Sequence, residues 1–568
     1  MNAEKTVAQV IAASLKRHGV ETIFSQSLPS AVLLAAEDLG LKQFTYRTEN
    51  AGGAMADGFA RLSRQVAVVT AQNGPAATLL VPPLAEAFKS SVPVIALVQE
   101  VNRPTTDRNA FQELDHIALF QACAKWIRRV TDADRIEDYL DMAFASATGG
   151  RPGPAVLLLP ADLLNESTAV WGRRSANLGC FPADRSLPDP KQIEAAADLI
   201  ITARNPIVIA GGGIHLSGAA AELAALQEEA HLPVMTTVMG KGAVSEFHPL
   251  SLGVGGNVLG RLSPGRHLRP LVESADVVFF VGTRTAQNGT DSWTLFPPGA
   301  RYIHLDIDPS EIGRNYEALR LVGDAKLTLL ALCDRLRGRR KPSADLVKTI
   351  AQARERQAQQ LASLLRTNAS PIRPERLMTD LQQVLTPETI VVADASYSTV
   401  WVACYLQALK PGMRFLTPRG LAGLGWGLPL ALGAKLARPA SPVLCITGDG
   451  GFAHVWAELE TARRTGTSVV VTVLNNGVLA YQKDAEDVKF GRHTSACDFT
   501  PVDHAQIARA CGCRAVTVER AEDYLGAVKE ALAASETTVI DVITDPEAYP
   551  PLTLFDDRLE SVRRSSGR

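Results

Sequence analysis

Long hydrophobic runs are absent from this sequence. None of its 568 residues belongs to a stretch of about 18 consecutive apolar residues, which a membrane-spanning helix requires. Residues 1–19 have the periodicity of an amphipathic helix that carries Glu4, Lys5, Lys16 and Arg17, and they lack the apolar centre of a signal peptide. We therefore expect a cytoplasmic protein that has no membrane partner.

The sequence also has almost no excess of positive or negative charge, and it contains few cysteines and aromatic residues. Lys and Arg number 58 against 60 Asp and Glu, a net charge of −2, which argues against a nucleic-acid partner. The eight cysteines form no C-x-x-C pair, and the close pair Cys511 and Cys513 lacks partners for a zinc site. We expect reduced thiols, as in cytosolic proteins. Aromatic residues make up only 6% of the chain, while Ala, Val and Leu raise the hydrophobic share to 46%, as is usual in large α/β enzymes.

Strands alternate with helical patterns along the chain, which is too long for a single hydrophobic core. The pattern divides into three blocks, at 1–165, 191–340 and 375–545. Short apolar runs predict strands at 66–70, 92–98, 155–159, 207–210, 277–281, 302–307, 443–447 and 468–474. Such alternation predicts an α/β protein of three domains, each a doubly wound parallel sheet.

Three segments lie outside these blocks. Residues 166–190 hold three prolines and predict a linker, and the charged segment 337–374 predicts a long helical connector. Residues after 551 are polar, and we expect them to be frayed.

The third block carries the most informative motif. A Gly-Asp-Gly triplet centred on Asp449 follows the strand at 443–447, and an Asn-Asn pair ending at Asn476 follows the strand at 468–474. An apolar pattern over 452–462 predicts the crossover helix between them. Both polar side chains are therefore expected at the carboxyl ends of parallel strands, where open α/β sheets bind ligands.

Oxygen atoms at this position suit a hard cation. The side chains of Asp449 and Asn476, with the main-chain carbonyl of Val478, predict a Mg²⁺ site whose remaining ligands are phosphate oxygens. The glycine-rich turn and the following helix supply N–H groups for those phosphates. Each piece alone is ordinary turn chemistry, but the conjunction and its spacing resemble the thiamin diphosphate (ThDP) signature.

A second segment extends this resemblance to the acetolactate synthases, with pyruvate oxidase and benzoylformate decarboxylase in the wider group. Residues 47–61, with small residues after Glu49 and a Gly-Phe-Ala-Arg ending, are similar to the stretch that contacts the ThDP pyrimidine ring. The resemblance implies that Glu49 is the catalytic acid–base partner of the cofactor. It also assigns pyrimidine binding to the first domain, a nucleotide-binding-like fold to the second and diphosphate binding to the third. On residues alone, Glu49 could equally be a surface glutamate in a first helical turn.

Other cofactor contacts are implied by the same resemblance. In the family, a large apolar residue holds ThDP bent, and Leu424 has that position; the carbonyl of Ala422 should accept a hydrogen bond from the pyrimidine amine. The full implied set of ThDP contacts is Glu49, Gly74, Ser396, Tyr397, Ser398, Ala422, Leu424, Gly448, Gly450, Gly451, Val478, Leu479 and Tyr481.

The substrate end departs from the family pattern. The positions expected to line the substrate cleft are Ser27, Phe111, Gln112 and Lys125. The family's glycine-containing loop is Ser-Gln-Ser-Leu-Pro-Ser at 25–30 here, Thr48 replaces a histidine, and the tryptophan of the acceptor pocket is missing near Ala485. We therefore expect a 2-oxo acid substrate with a selectivity different from the family's usual pair.

The middle block carries a weak nucleotide signal. Relatives bind FAD or ADP in this block, or nothing, and a Gly-Gly-Gly turn after a strand is often only a turn. The candidate contacts are Gly211, Gly212, Arg284, Asp306 and Asp324. FAD is thus a possible further cofactor.

The resemblance implies a ThDP- and Mg²⁺-dependent enzyme that decarboxylates a 2-oxo acid and transfers the remaining carbon unit to an acceptor. Alternatives are simple decarboxylation, cleavage of a 2-hydroxyacyl compound, or a non-catalytic ThDP-fold protein. In the family, the two ends of ThDP are bound by different subunits. We therefore expect a homodimer or homotetramer with active sites at subunit interfaces.

Overall fold

The computed structural model describes residues 5–168, 174–556 and 558–565. It contains three six-stranded sheets in which all strand pairs are parallel, and a small antiparallel pair. The prediction of an α/β protein with three parallel sheets is confirmed.

The first sheet has the strand order β3-β2-β4-β5-β7-β6. Its central strands are runs of Val, Ile, Leu and Ala buried on both faces, as parallel sheets require. The strands of this region are β1 (Lys5–Thr6), β2 (Thr22–Ser25), β3 (Lys42–Thr45), β4 (Ala67–Ala71), β5 (Val94–Glu100), β6 (Trp126–Arg129), β7 (Ala155–Pro160) and β8 (Ser167–Thr168). The helices are α1 (Val7–Arg17), α2 (Ser30–Asp38), α3 (Glu49–Ser63), α4 (Pro75–Leu79), α5 (Val81–Ser90), α6 (His116–Phe120) and α7 (Ile136–Thr148).

The second sheet has the order β11-β10-β9-β12-β13-β14, the classical order of dinucleotide-binding folds. Its strands are β9 (Pro206–Ala210), β10 (Val234–Thr236), β11 (Ser251–Val254), β12 (Val277–Val281), β13 (Arg301–Asp306) and β14 (Ala318–Val322). Its helices are α8 (Pro190–Thr202), α9 (Gly213–Ser217), α10 (Ala220–Glu229), α11 (Arg269–Glu273) and α12 (Ala325–Leu336), and the connector that follows is α13 (Ala344–Leu365).

The third sheet has the order β16-β15-β17-β18-β20-β19. Its strands are β15 (Ile390–Ala393), β16 (Phe415–Leu416), β17 (Val443–Gly448), β18 (Val470–Asn475), β19 (Arg514–Val518) and β20 (Thr538–Ile543). Its helices are α14 (Pro374–Gln382), α15 (Tyr397–Tyr405), α16 (Gly427–Ala437), α17 (Asp449–Ala453), α18 (Glu458–Thr465), α19 (Ala480–Phe490), α20 (His504–Ala510), α21 (Ala521–Ala533) and α22 (Arg558–Ser565).

Helices α3 and α16 pack closely and join the first sheet region to the third. Glycines make this approach possible: a Cβ on Gly58 would lie 2.4 Å from the Leu430 carbonyl oxygen, and one on Gly433 would lie 1.9 Å from that of Met55. One hydrophobic core therefore runs from the first sheet, through these helices, into the third sheet.

Three local predictions are wrong. The helix predicted over 452–462 is two short helices, α17 and α18, separated by turns. The N-terminal helix starts at Val7, because Lys5–Thr6 pairs with Ser167–Thr168. The segment after residue 551 is not frayed within its described part, since Leu552, Phe555 and Leu559 are buried in the core of the third region. The polar composition of that segment concealed these spaced apolar residues. Among the described residues, no helix is long and apolar enough to cross a membrane.

Candidate functional site

Asp449 begins helix α17 at the carboxyl end of β17, as predicted. Its Oδ1 accepts a hydrogen bond from the Gly450 N–H at 2.8 Å, and its Oδ2 accepts one from the Gly477 N–H at 2.7 Å. Burial raises the pKa of this carboxyl, and the two N–H donors oppose that shift. In the described part of the chain no Lys, Arg or His forms an ion pair with Asp449, so its charge is available to a cation.

Asn476 and Val478 lie on the turn that follows β18, next to Asp449. The Asn476 Oδ1 accepts a hydrogen bond from the Val478 N–H at 3.2 Å, and the Val478 carbonyl accepts one from the Ala480 N–H at 3.0 Å. A carboxylate, a carboxamide oxygen and a main-chain carbonyl therefore come together at neighbouring strand ends. This set of oxygens fits a hard cation such as Mg²⁺.

These oxygens line a cavity of about 480 Å³. Its wall contains eleven of the thirteen residues that the resemblance assigned to ThDP; all except Glu49 and Gly74 are present. They are Ser396, Tyr397, Ser398, Ala422, Leu424, Gly448, Gly450, Gly451, Val478, Leu479 and Tyr481. All eleven residues belong to the third sheet region and share one cavity.

A buried carboxylate, Asp394, organises the floor of this cavity. It accepts hydrogen bonds from the Gly425 and Trp426 N–H groups at 3.1 Å and from the Thr447 hydroxyl at 3.0 Å. It thereby ties the ends of β15 and β17 to the loop before α16. Gly451 must be glycine here, because a Cβ would lie 2.1 Å from the Asp394 Oδ2.

The loop that carries Ala422 and Leu424 is held by the first sheet region of the same chain. The carboxylate of Glu86, on α5, accepts hydrogen bonds from the Gly420 N–H at 2.7 Å and from the Leu421 N–H at 2.6 Å. Glu86 is 1% exposed. Because charge-assisted bonds of this kind are strong, Glu86 fixes the backbone immediately before Ala422.

Glu49 begins helix α3, and its side chain is 7% exposed. Burial raises the pKa of this carboxyl. The preceding backbone is fixed by the third region: Glu458, on α18, accepts hydrogen bonds from the N–H groups of Arg47 and Thr48 at 3.1 to 3.2 Å. Glu49 does not line the cavity that contains Asp449. Among the residues that the structure describes, Glu49 and Asp449 thus do not share a cavity.

Four further predicted residues lie on the first sheet region, outside both cavities. Gly74 packs against Gln112, whose Oε1 accepts a hydrogen bond from the Gln72 amide at 2.6 Å. Phe111 is 84% exposed, and Ser27 is exposed on its loop.

Lys125, the last of the predicted substrate residues, also lies on the first sheet region, directly before β6. It donates a hydrogen bond to the Gly149 carbonyl at 2.6 Å and lines neither cavity. Its assignment to a substrate cleft stays a prediction.

A second cavity, of about 650 Å³, lies between the first and second sheet regions. Gly212, Arg284, Asp306 and Asp324 line it, whereas Gly211 packs against Gly282 and Thr283 beneath it.

The charged groups of this second cavity differ in their partners. Asp324 is engaged by Arg185 at 2.6 Å and caps α12, while burial raises the pKa of Asp306 to about 6. Arg284 has no hydrogen-bond or ion-pair partner within the described ranges, and burial lowers its pKa. This unpaired guanidinium fits a phosphate group or another anion.

Sequence reasoning missed Glu86, Glu458, Asn288 and Arg419, and it gave Asp394 only as the start of the 394–398 loop on the diphosphate side, without a role. Asn288 and Arg419 line both cavities, and the three carboxylates hold loops that carry predicted site residues. Arg419 lies between Leu416-Thr417 and the segment 420–429, two pieces of sequence that resemble the family's cofactor-shaping segment, but it was not itself part of the match. The carboxylates bond to backbone groups far away in sequence, which no local pattern reveals.

Comparisons with known proteins agree with this arrangement. Three family models match: the thiamine pyrophosphate enzyme N-terminal TPP binding domain at residues 5–119, the central domain at 193–332 and the C-terminal TPP binding domain at 394–542.

Full-length relatives match as well. A probable acetolactate synthase large subunit from Methanocaldococcus jannaschii is 32% identical over 98% of this chain and 94% of its own length. An acetolactate synthase from Arthrospira platensis is 32% identical over 97% of each chain, and one from Mycobacterium bovis is 31% identical over 98% of this chain and 92% of its own. The chain therefore belongs to the thiamine pyrophosphate enzyme family, in its acetolactate synthase-like group.

Proposed function

We propose that this protein is an acetolactate synthase that uses Mg²⁺ and ThDP to join two 2-oxo acids with loss of CO₂. One observation carries the proposal: Asp449, Asn476 and Val478 present three oxygen ligands inside a cavity that eleven residues of the family's ThDP pattern line. The names of the full-length relatives supply the reaction class.

Each residue has a definite task in this proposal. When bound, ThDP would supply the nucleophilic carbon that this chemistry needs. Asp449 and Asn476 hold Mg²⁺ and, through it, the diphosphate. The Ala422 carbonyl would accept a hydrogen bond from the cofactor's amine, and the Leu424 side chain would pack against the cofactor. Glu49 exchanges a proton with the pyrimidine ring, a task that suits a carboxyl whose pKa burial has raised.

The complete site needs a second copy of the chain. Glu49 and Gly74 are outside the cavity that holds Asp449, so we propose that each cavity is closed by the first region of a partner subunit. Apolar side chains exposed on both regions would be covered by that contact. They are Leu79, Phe111, Leu114 and Ile117 on the first region, and Leu421, Phe490 and Phe499 on the third. A dimer, or a tetramer built from dimers, has this symmetry.

Three further assignments belong to the proposal. The second cavity holds FAD or another nucleotide, because Arg284 supplies an unpaired cation beside a dinucleotide-type sheet. The domain limits are 1–165, 191–340 and 375–545. A cytoplasmic location agrees with eight cysteines that are all free.

Product analysis tests the reaction class. The purified holoenzyme is incubated with pyruvate, alone and with an aldehyde, while CO₂ release is measured and products are identified by NMR. The proposal expects acetolactate from pyruvate. Acetaldehyde as the sole product would make the protein a decarboxylase, and cleavage of a 2-hydroxyacyl compound without CO₂ would make it a lyase.

Selectivity is tested in the same assay with pyruvate and 2-oxobutyrate together. The changed loop at 25–30 and the missing tryptophan near Ala485 lead us to expect that this pair is not strongly preferred. Changes of about one methylene in a pocket shift selectivity by about 10- to 200-fold. Strong, selective formation of acetohydroxybutyrate would contradict this expectation.

Subunit complementation tests the shared site. Inactive Glu49→Gln and inactive Asp449→Ala chains are mixed under conditions that allow exchange. A shared site regenerates one intact site in each heterodimer and restores partial activity. Absence of recovery despite demonstrated exchange, or full activity of a monomer by light scattering, would rule the shared site out.

A further inference from the structure

The two cavities meet at Arg419 and Asn288, the two residues that line both of them. Arg419 lies on the loop between β16 and α16, three residues before Ala422. This position places its side chain between the proposed cofactor cavity and the proposed nucleotide cavity.

Arg419 is held in place but not paired. The flanking backbone is fixed, because Glu86 accepts from the Gly420 N–H and the Thr417 carbonyl accepts from Arg61 at 2.9 Å. The guanidinium itself has no hydrogen-bond or ion-pair partner among residues 5–168, 174–556 and 558–562. Burial lowers its pKa, yet an arginine stays protonated at neutral pH.

Glu86 acts on Arg419 electrostatically, but it makes no hydrogen bond to the guanidinium. Both oxygens of Glu86 already accept hydrogen bonds, from Ser90 and from the two N–H groups of the loop, and Arg61 lies 3.6 Å from one of them. Arg419 is only partly buried and lines both cavities, so an anion that enters either cavity can pair directly with its guanidinium. The geometry therefore describes a binding group and not a structural ion pair.

Resting on the proposed function, we propose that Arg419, with Asn288 beside it, binds the carboxylate of the acceptor 2-oxo acid. The planar guanidinium matches a carboxylate in two parallel hydrogen bonds, and the Asn288 amide can donate a third. The acceptor class is thus an anionic 2-oxo acid and not a neutral aldehyde.

The donor carboxylate is the poorer candidate. The reaction consumes two 2-oxo acids and one proton, and it releases one CO₂. The donor's bond between its carbonyl and carboxylate carbons breaks, the new carbon–carbon bond forms at the acceptor carbonyl carbon, and the acceptor oxygen becomes a hydroxyl. A cation bound to the donor carboxylate would stabilise the ground state more than the transition state, in which that charge disperses. The acceptor carboxylate persists throughout, so its pairing with Arg419 carries no such cost.

Calorimetry on the enzyme loaded with ThDP and Mg²⁺ tests binding without turnover. The probe is 2-hydroxy-2-methylpropanoate, an unreactive carboxylate that resembles the tertiary alcohol of the product. In Arg419→Gln its affinity should fall by about 10- to 100-fold, the loss typical of a charged hydrogen bond, and Arg419→Lys should retain part of it. The matched control is Arg520→Gln, which removes an exposed charge of the same region and should leave the affinity unchanged.

Partition between acceptors tests the role in the reaction. With pyruvate as donor, and pyruvate and acetaldehyde competing as acceptors, Arg419→Gln should form about 10-fold less acetolactate relative to acetoin. Its release of CO₂ should persist, because the donor is bound elsewhere.

Wild-type probe affinity together with a wild-type product ratio in Arg419→Gln would overturn the inference. Loss of ThDP or FAD affinity with an unchanged ratio would also overturn it, since the arginine would then bind a cofactor. If the wild type releases no CO₂ from any 2-oxo acid, the proposed function fails, and the calorimetric result still decides whether Arg419 binds a carboxylate.

Discussion

The first and third sheet regions have the same topology and different chemistry. When the six strands of each sheet are numbered in chain order, both of these sheets have the strand order 2-1-3-4-6-5. The middle sheet has the order 3-2-1-4-5-6. In the third region, Asp449 and its carboxylate oxygens follow the third strand, β17. In the first region, Gly74 follows the corresponding strand, β4. After the second strand, the first region carries Glu49, and the third carries the Ala422 loop. Equal strand order thus supports unlike tasks, because the site depends on loops.

The two regions hold each other's loops by the same device. Glu86 follows the third strand of the first region and accepts from the loop after the second strand of the third region. Glu458 follows the third strand of the third region and accepts from the N–H groups of Arg47 and Thr48, after the second strand of the first. Helices α3 and α16 pack between these two contacts. We refer to Glu86 and Glu458 as the reciprocal carboxylates.

Removal of the Asp449 carboxylate should have the largest effect, a loss of ThDP affinity. It should show most clearly that the third region, and not the first, binds the diphosphate. Asp449→Ala should weaken ThDP binding by at least about 100-fold, because the diphosphate would face a site without its metal ligand. Titration calorimetry with ThDP and Mg²⁺ measures this affinity. Asp523→Ala, an exposed change in the same region, is the control, and wild-type affinity in Asp449→Ala would contradict the metal assignment.

The corresponding change in the first region should leave binding intact and abolish turnover. Glu49→Gln keeps the shape of the side chain but removes the group that exchanges the proton, so activity should fall by about 10²- to 10⁴-fold. ThDP affinity by calorimetry and hydrogen–deuterium exchange at C2 of the bound cofactor are measured together. An unchanged exchange rate would show that Glu49 has another role.

Much of the fold could be predicted from the sequence, because parallel strands are short apolar runs separated by turn residues. The strand 277–281 is correct at both ends, and 443–447 is one residue too short. The helix over 452–462 is wrong because its apolar spacing also fits two short helices joined by turns. Strand order was beyond the sequence, since it depends on pairing between residues far apart in the chain.

From spacing alone the candidate site could be predicted only where it is local, and the residues at 396–424 were reached only through the family resemblance. Asp449 and Asn476 stand at strand ends within one crossover, so their proximity follows from spacing. The resemblance implied that Glu49 and Asp449 meet only across a subunit interface, and Glu49 indeed does not line the cavity that contains Asp449. Arg419 directly precedes the matched segment 420–429, but the absence of a hydrogen-bond partner for its guanidinium among the described residues is visible only in three dimensions.

The reciprocal carboxylates should contribute to stability by similar amounts. Glu86→Ala and Glu458→Ala each leave buried N–H groups without an acceptor, which should lower the free energy of unfolding by about 2–4 kcal/mol. Glu86→Ala should be the costlier of the two, because Arg61 also loses a nearby carboxylate. Urea denaturation of the apo protein measures both values.

Gln variants of the reciprocal carboxylates are the matched controls, since each keeps one acceptor oxygen and should lose less stability. Kinetic and binding measurements then distinguish the roles of Glu86 and Glu458. The change at Glu458 should lower turnover through the start of α3, and the change at Glu86 should weaken ThDP binding through the Ala422 loop. Two variants of wild-type stability would show that the hydrogen bonds do not hold the loops.

The smallest expected effect concerns the middle sheet, which has the different strand order. It is a change in how the free energy of unfolding depends on pH. His304 is buried, and its Nε2 lies 2.8 Å from the Thr283 carbonyl; burial lowers its pKa to about 4. Between about pH 6.5 and 4 the unfolded histidine binds a proton and the folded one does not, so stability falls as the pH falls through this window. The contribution is about 1.4 kcal/mol for each pH unit. His304→Gln can still donate to Thr283 but cannot titrate. Its unfolding free energy, measured from pH 7 to pH 5, should therefore decline less steeply than that of the wild type by this amount. Equal slopes would show that His304 is protonated in the folded protein and that the middle region owes its acid sensitivity to other groups.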